Sequence, residues 1–116
     1  MVVTLFAAVL GSLVTADHTG LAQDWIATSA PSGYWYSVAS SADGTRLVAA
    51  SYLDANLNKG QIYVSTNSGS SWRPSGAPLN QWKYVASSAD GSKLLATADY
   101  DGIYTSTNWV QPLKCS

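Results

Sequence analysis

The groups in this chain with the most obvious chemistry are its seven acidic residues, all aspartate, since glutamate is absent. Glycoside hydrolysis needs two carboxylates roughly 5–10 Å apart across a cleft. The nearest approach to such a pair is Asp99 and Asp101, but the run Asp99-Tyr100-Asp101-Gly102 reads first as a short turn. Asp43 and Asp90 recur in the same Ser-Ala-Asp-Gly setting, which marks them as structural. His18 stands beside an apolar run near the start and Cys115 is next to the last residue, so no Ser-His or Cys-His arrangement is expected. Metal ligation lacks a cluster of suitable residues as well. The expectation is therefore no catalytic, cofactor-binding or metal-binding residue and no cofactor.

Composition narrows the elements that position these groups. The chain has 116 residues, 47% of them hydrophobic and 11% charged, with 9 Gly, 5 Trp and 7 Tyr. Charge is well below the roughly 25% of an ordinary soluble domain. Hydroxyls and amides thus supply the surface polarity, and that suits β-structure better than helix. A net charge of -1 gives no electrostatic footprint for nucleic acid, and no such partner is expected. A single cysteine excludes an intramolecular disulfide, so stability must come from packing.

Residues 2–16 (VVTLFAAVLGSLVTA) are uncharged and shorter than the roughly 20 apolar residues that span a bilayer. They read as the core of a signal peptide, here 1–22, with small-residue cleavage patterns before Asp17 and before Gln23. The other reading is a buried strand or helix of a preceding unit. The signal reading carries an exported location, secreted, periplasmic or cell-surface, with no membrane span in the mature chain.

An internal repeat organises the rest. Trp25 and Trp35 are matched by Trp72 and Trp82, and Tyr36-Ser37-Val38-Ala39-Ser40-Ser41-Ala42-Asp43-Gly44 by Lys83-Tyr84-Val85-Ala86-Ser87-Ser88-Ala89-Asp90-Gly91, at an offset of 47. Arg46-Leu47-Val48-Ala49 recurs as Lys93-Leu94-Leu95-Ala96. Ile62-Tyr63-Val64-Ser65-Thr66-Asn67 recurs as Ile103-Tyr104-Thr105-Ser106-Thr107-Asn108 at an offset of 41, which places a six-residue insertion within 53–60. Each period predicts four short antiparallel strands. In the first copy they run over about 35–41, 46–52, 61–66 and 71–75, with Asp-Gly and Asn-Ser-Gly turns between the first and last pairs.

Ser65-Thr66-Asn67-Ser68-Gly69-Ser70-Ser71-Trp72 resembles the Asp-box, or BNR repeat, at all four fixed positions, Ser65, Asn67, Gly69 and Trp72. The wider pattern resembles the repeats of exported bacterial β-propellers of the sialidase-like superfamily, over about 24–108. The resemblance implies an all-β fold of antiparallel four-stranded blades, about two of them in a partial propeller. A strand equivalent to the fourth of a blade is expected at 24–30, a full blade at 35–76 and a partial blade at 82–108 that ends after its third strand. The box does not recur after Asn108, where the chain reads Trp109-Val110-Gln111-Pro112.

Two blades cannot close a ring, so either the chain is a fragment of a longer gene, the favoured expectation, or copies assemble a ring by cyclic symmetry. In the repeat the first-to-second and third-to-fourth turns share one end, and the other end is where the copies differ. That divergent end holds the candidate ligand face, Tyr34, Asp54, Asn56, Asn58, Asn80, Gln81, Tyr100 and Asp101, suited to a carbohydrate or protein ligand. Variable solvated loops with no ligand are the plainer alternative. Trp35, Trp82, Tyr63 and Tyr104 recur at matching positions and are expected to pack between strands. The function expected is a non-enzymatic exported scaffold or binding module. One alternative is a fragment of a sialidase-like glycoside hydrolase whose arginine cluster and Tyr–Glu pair lie outside this chain. The other is a propeller like the assembly factors of photosynthetic membranes.

Overall fold

The computed structural model describes residues 23–107 and 114–115. Segment 1–22, with the signal-peptide reading and His18, the stretch 108–113 and position 116 lie outside the described residues. The fold is all-β. Strands β1 (Gly33–Ser40), β2 (Leu47–Asp54), β3 (Ile62–Ser65) and β4 (Arg73–Pro74) form one antiparallel sheet in sequential order. Strands β5 (Trp82–Ser87), β6 (Leu94–Ala98), β7 (Ile103–Ser106) and β8 (Lys114–Cys115) form a second with the same order. Pro74 sits in an edge strand, where its missing N–H breaks no ladder. Among the described residues no helix is long and apolar enough to cross a membrane.

Two expectations need correction. Residues 24–30, expected as a strand, form none, and Trp25 there is 94% exposed. The place such a strand was expected to take, beside β7, is filled by β8, whose Cys115 pairs with Tyr104 and Lys114 with Thr105. For the same reason the second unit does not end after three strands. A two-residue strand lacking any box-like hairpin has no sequence signal of its own.

The repeated turns owe their shape to one carboxylate each. Asp43 accepts from the Ser41 hydroxyl (2.7 Å), the Thr45 hydroxyl (2.8 Å) and the Thr45 N–H (3.0 Å), while Arg46 N–H donates to Ser41 Oγ. Asp90 accepts likewise from the Ser88 hydroxyl (2.8 Å), the Ser92 hydroxyl (2.8 Å) and the Ser92 N–H (2.9 Å), while the Lys93 N–H donates to Ser88 Oγ (3.0 Å). Gly44 and Gly91 both take φ +76°, the left-handed conformation that Gly adopts without penalty. The Ala42 N–H donates to the Ala89 carbonyl, joining the two turns across the sheets. Donors crowded onto an acceptor favour its ionised form. They hold Asp43 at about 2, with the Thr45 N–H first among the causes, and Asp90 well below the usual carboxylate range, with the Ser92 N–H first.

These carboxylates make stability pH-dependent. A depressed folded value means the stabilisation is complete above the unfolded aspartate value of about 3.9 and is lost as pH falls through the folded value. Acid titration followed by circular dichroism should show destabilisation from about pH 4 downward. In the Asp43→Asn/Asp90→Asn variant neutral stability is lower and that acid dependence is flatter; an unchanged profile would contradict the role given to these turns.

The 66–72 loop between β3 and β4 is built the same way. Ser65 Oγ donates to Asn67 Oδ1 (2.9 Å) and accepts from the Gly69 N–H (2.9 Å). Asn67 Oδ1 also accepts from the Ser71 N–H (3.0 Å), and its amide donates to Ser71 Oγ (2.8 Å). Gly69 takes φ +88° with Leu47 and half-buried Trp72 alongside.

The core lies between the sheets. One face of the first, with Val48, Ala50, Ile62 and Val64, meets one face of the second, with Trp82, Leu94, Ala96 and Ala98. The repeated aromatics pack edge-on within each sheet, Trp35 to Tyr63 at 5.7 Å and Trp82 to Tyr104 at 4.9 Å.

Candidate functional site

Candidate residues of the divergent end come from the β1 start, the β2–β3 loop, the β4–β5 connection and the β6–β7 turn. Tyr34 pairs with Leu53 and Gly33 with Asp54, which sets the Tyr34 ring, exposed, beside the loop that follows β2. Asp54 organises that loop. It accepts from the N–H groups of Asn56 (2.8 Å) and Asn58 (2.9 Å) and from the Asn58 amide (3.2 Å), while Leu57 takes φ 66°. The Asn58 N–H leads the causes that lower the Asp54 carboxyl. Asn56 remains exposed.

A second group is joined to the first through a backbone bridge between Gly60 and Asn80. Asn80 Nδ2 donates to Asp101 Oδ2 (2.7 Å), which also accepts from the Tyr104 hydroxyl (2.9 Å). The Gly102 N–H, bonded to Asp101 Oδ1, is first among the causes holding that carboxyl below its usual range. Gln81 is half-buried, its N–H on Asn80 Oδ1 and its carbonyl accepting from the Asp99 N–H. Tyr100 projects fully exposed from the turn at φ 55°. The structure thus ties Asp54 to Asn58 and Asn80 to Asp101 in loop-shaping bonds, leaving Tyr34, Asn56 and Tyr100 outward.

A cluster that sequence reasoning missed lies where the two sheets meet. The pairing of β1 with β2 slips between Trp35 and Ser37, and that of β5 with β6 slips between Trp82 and Tyr84, so Tyr36 and Lys83 each occupy a bulge. Bulges re-aim side chains. Tyr36 stacks on Tyr52 at 4.8 Å and 17°, and Lys83 Nζ lies 5.5 and 5.4 Å from the two ring centres. Asp99 closes the group, 3.4 Å from Lys83 Nζ and accepting from the Tyr52 hydroxyl at 2.9 Å. The Asp99 hydrogen bond is the leading cause that raises both the Lys83 ammonium and the Tyr52 phenol above their ordinary values. A signal existed: Tyr36 aligns with Lys83 and Tyr52 with Asp99 in the repeat, and both pairs differ. An aromatic pair in one copy and an ion pair in the other thus meet at the junction.

A lysine nucleophile needs a lowered pKa, and a carboxylic general acid a raised one. The shifts of Lys83, Asp54 and Asp101 run in the opposite directions. Stacked rings flanked by a fixed ammonium, with amides and two outward tyrosines nearby, suit a polar ligand with an apolar face. Compared with protein-family models, curated proteins and solved structures, the chain matches none.

Proposed function

We propose that the chain is an exported, non-enzymatic segment of an Asp-box β-propeller that serves as a scaffold or binding module. The observation that carries this reading is the pair of four-stranded antiparallel sheets with duplicated aspartate turns, one of them closed by the Ser65-Asn67-Gly69 loop. Repeats that stack this way present a repeated end and a divergent one. The divergent end, from Tyr34 and Tyr100 to the Tyr36–Tyr52–Lys83–Asp99 cluster, is the ligand face, and its chemistry fits a carbohydrate or a short polar peptide. The uncharged run at 2–16 supports export.

The test is a panel of oligosaccharides and peptides scored by amide chemical-shift changes. Ligand binding should shift residues around Tyr34, Tyr36, Tyr52 and Tyr100. Tyr36→Ala should weaken it roughly three- to tenfold, the scale of one lost aromatic contact. Shifts confined to the 41–46 and 88–93 turns, or no binding across the panel, would contradict this assignment.

A further inference from the structure

The repeat gives every face of one sheet a counterpart on the other, and the burial of the counterparts differs in one consistent way. Val48 and Ile62 of the first sheet are 1% and 0% exposed beneath the second sheet. Their repeat equivalents, Leu95 and Ile103, are 43% and 50% exposed. Half-buried Ser37, whose hydroxyl accepts the Val85 N–H, corresponds to Tyr84, 67% exposed. Among the described residues, the outer face of the second sheet is thus the inner face of the first without a cover.

The complementary face of the first sheet is uncovered at its rim among the described residues, while Ala49 and Ser51 at its centre are buried. Trp82, Leu94 and Val85 of the second sheet pack onto the first. Their equivalents in the first sheet are Trp35 and Leu47, both half-buried, and Val38, 72% exposed. The chain therefore displays both halves of a junction that it already makes once internally. Large apolar faces of this kind are unusual on a lone soluble domain.

We infer that the outer face of the second sheet, centred on Tyr84, Leu95 and Ile103, docks the face of the first sheet bearing Trp35, Val38 and Leu47 in a second copy of this chain, head to tail, repeating the internal junction. The occupant is chosen by the internal interface itself, which shows these two surface types already fitted to each other. Such a heterologous contact propagates until it closes into a ring or grows as a filament. The contact rests on the repeat alone; closure into a ring rests on the propeller reading.

The experiment is light scattering after gel filtration of the full chain and of two variants at exposed positions, Val38→Lys and Leu95→Lys, each checked for β content by circular dichroism. Wild type is expected at a multiple of the 12.2 kDa chain mass, and each variant alone as a monomer. Mixing the variants should give a 1:1 dimer, because each retains the half-junction the other has lost. A closed oligomer agrees with both the contact and the propeller reading. A filament agrees with the contact and contradicts ring closure. A monomeric wild type, dissociation by only one of the two substitutions, or variants that fail to pair when mixed would overturn the inference.

Discussion

Replacing Trp82 by alanine is expected to destabilise the fold by about 3–5 kcal/mol, the range for removing a buried indole and leaving its cavity. Trp82 is 0% exposed. It lies in the cluster that also holds Val48, Ile62 and Val64 of the other sheet, meets the Tyr104 ring edge-on, and donates from Nε1 to the Pro78 carbonyl at 3.2 Å. Alanine would lose the contacts between sheets and leave that carbonyl without its donor. Total stabilities of 5–15 kcal/mol make such a loss a large fraction of the whole. The repeat supplies its own control. Trp35 holds the equivalent position but is only half-buried, so Trp35→Ala should cost about 1–2 kcal/mol in the monomer. Urea denaturation checks both, and equal losses would mean that the two sheets do not pack on each other through Trp82.

The second large effect is expected at Gly60, for a reason unrelated to φ. A Cβ there would run into the backbone carbonyl of Ser51. The Gly60 backbone is pinned as well, its N–H on the Tyr52 carbonyl and its own carbonyl accepting from Asn80. Neither segment can move aside without breaking these bonds. Gly60→Ala should therefore exceed the roughly 1–3 kcal/mol typical of an overpacked core, because the opposing atoms are main chain. Gly44 provides the contrast: at φ +76° with nothing within 4 Å of a Cβ, its alanine variant carries only the left-handed penalty of about 1–2 kcal/mol. Thermal denaturation of the two variants side by side checks the order. Because Gly60 bridges to Asn80, its substitution should also disturb the Asn80–Asp101 bond at the divergent end.

Most strands were legible because the period-2 patterns and their turn residues agree. Asp43-Gly44 and Asp90-Gly91 mark turns by a local mechanism, a side chain folding onto its own backbone, and local mechanisms survive in sequence. The expected strands at 35–41, 46–52 and 61–66 sit within a few residues of β1, β2 and β3. What failed was non-local. Residues 24–30 carry the same Trp spacing as the β4 region, yet the place beside β7 is filled by β8, a pairing invisible in a two-residue segment. Topology alone assigned the candidate ligand face to the divergent end of the repeat. Its most organised part, Tyr36 and Tyr52 against Lys83 and Asp99, was missed because an alignment of repeats scores those positions as mismatches. Their meeting depends on how one sheet is set against the other, and the two bulges that aim them leave no mark in the sequence.

Everything proposed for the divergent end depends on the two sheets being stacked face on face. The most direct test is a set of methyl–aromatic and methyl–methyl NOEs measured on the full chain in solution. The predicted result is a network linking the Val48, Ile62 and Val64 methyls of the first sheet to the Trp82 indole, Leu94 and Ala96 of the second. NOEs found only within each repeat would contradict the account, since the sheets would then be independent and the Tyr36–Lys83 junction would not exist.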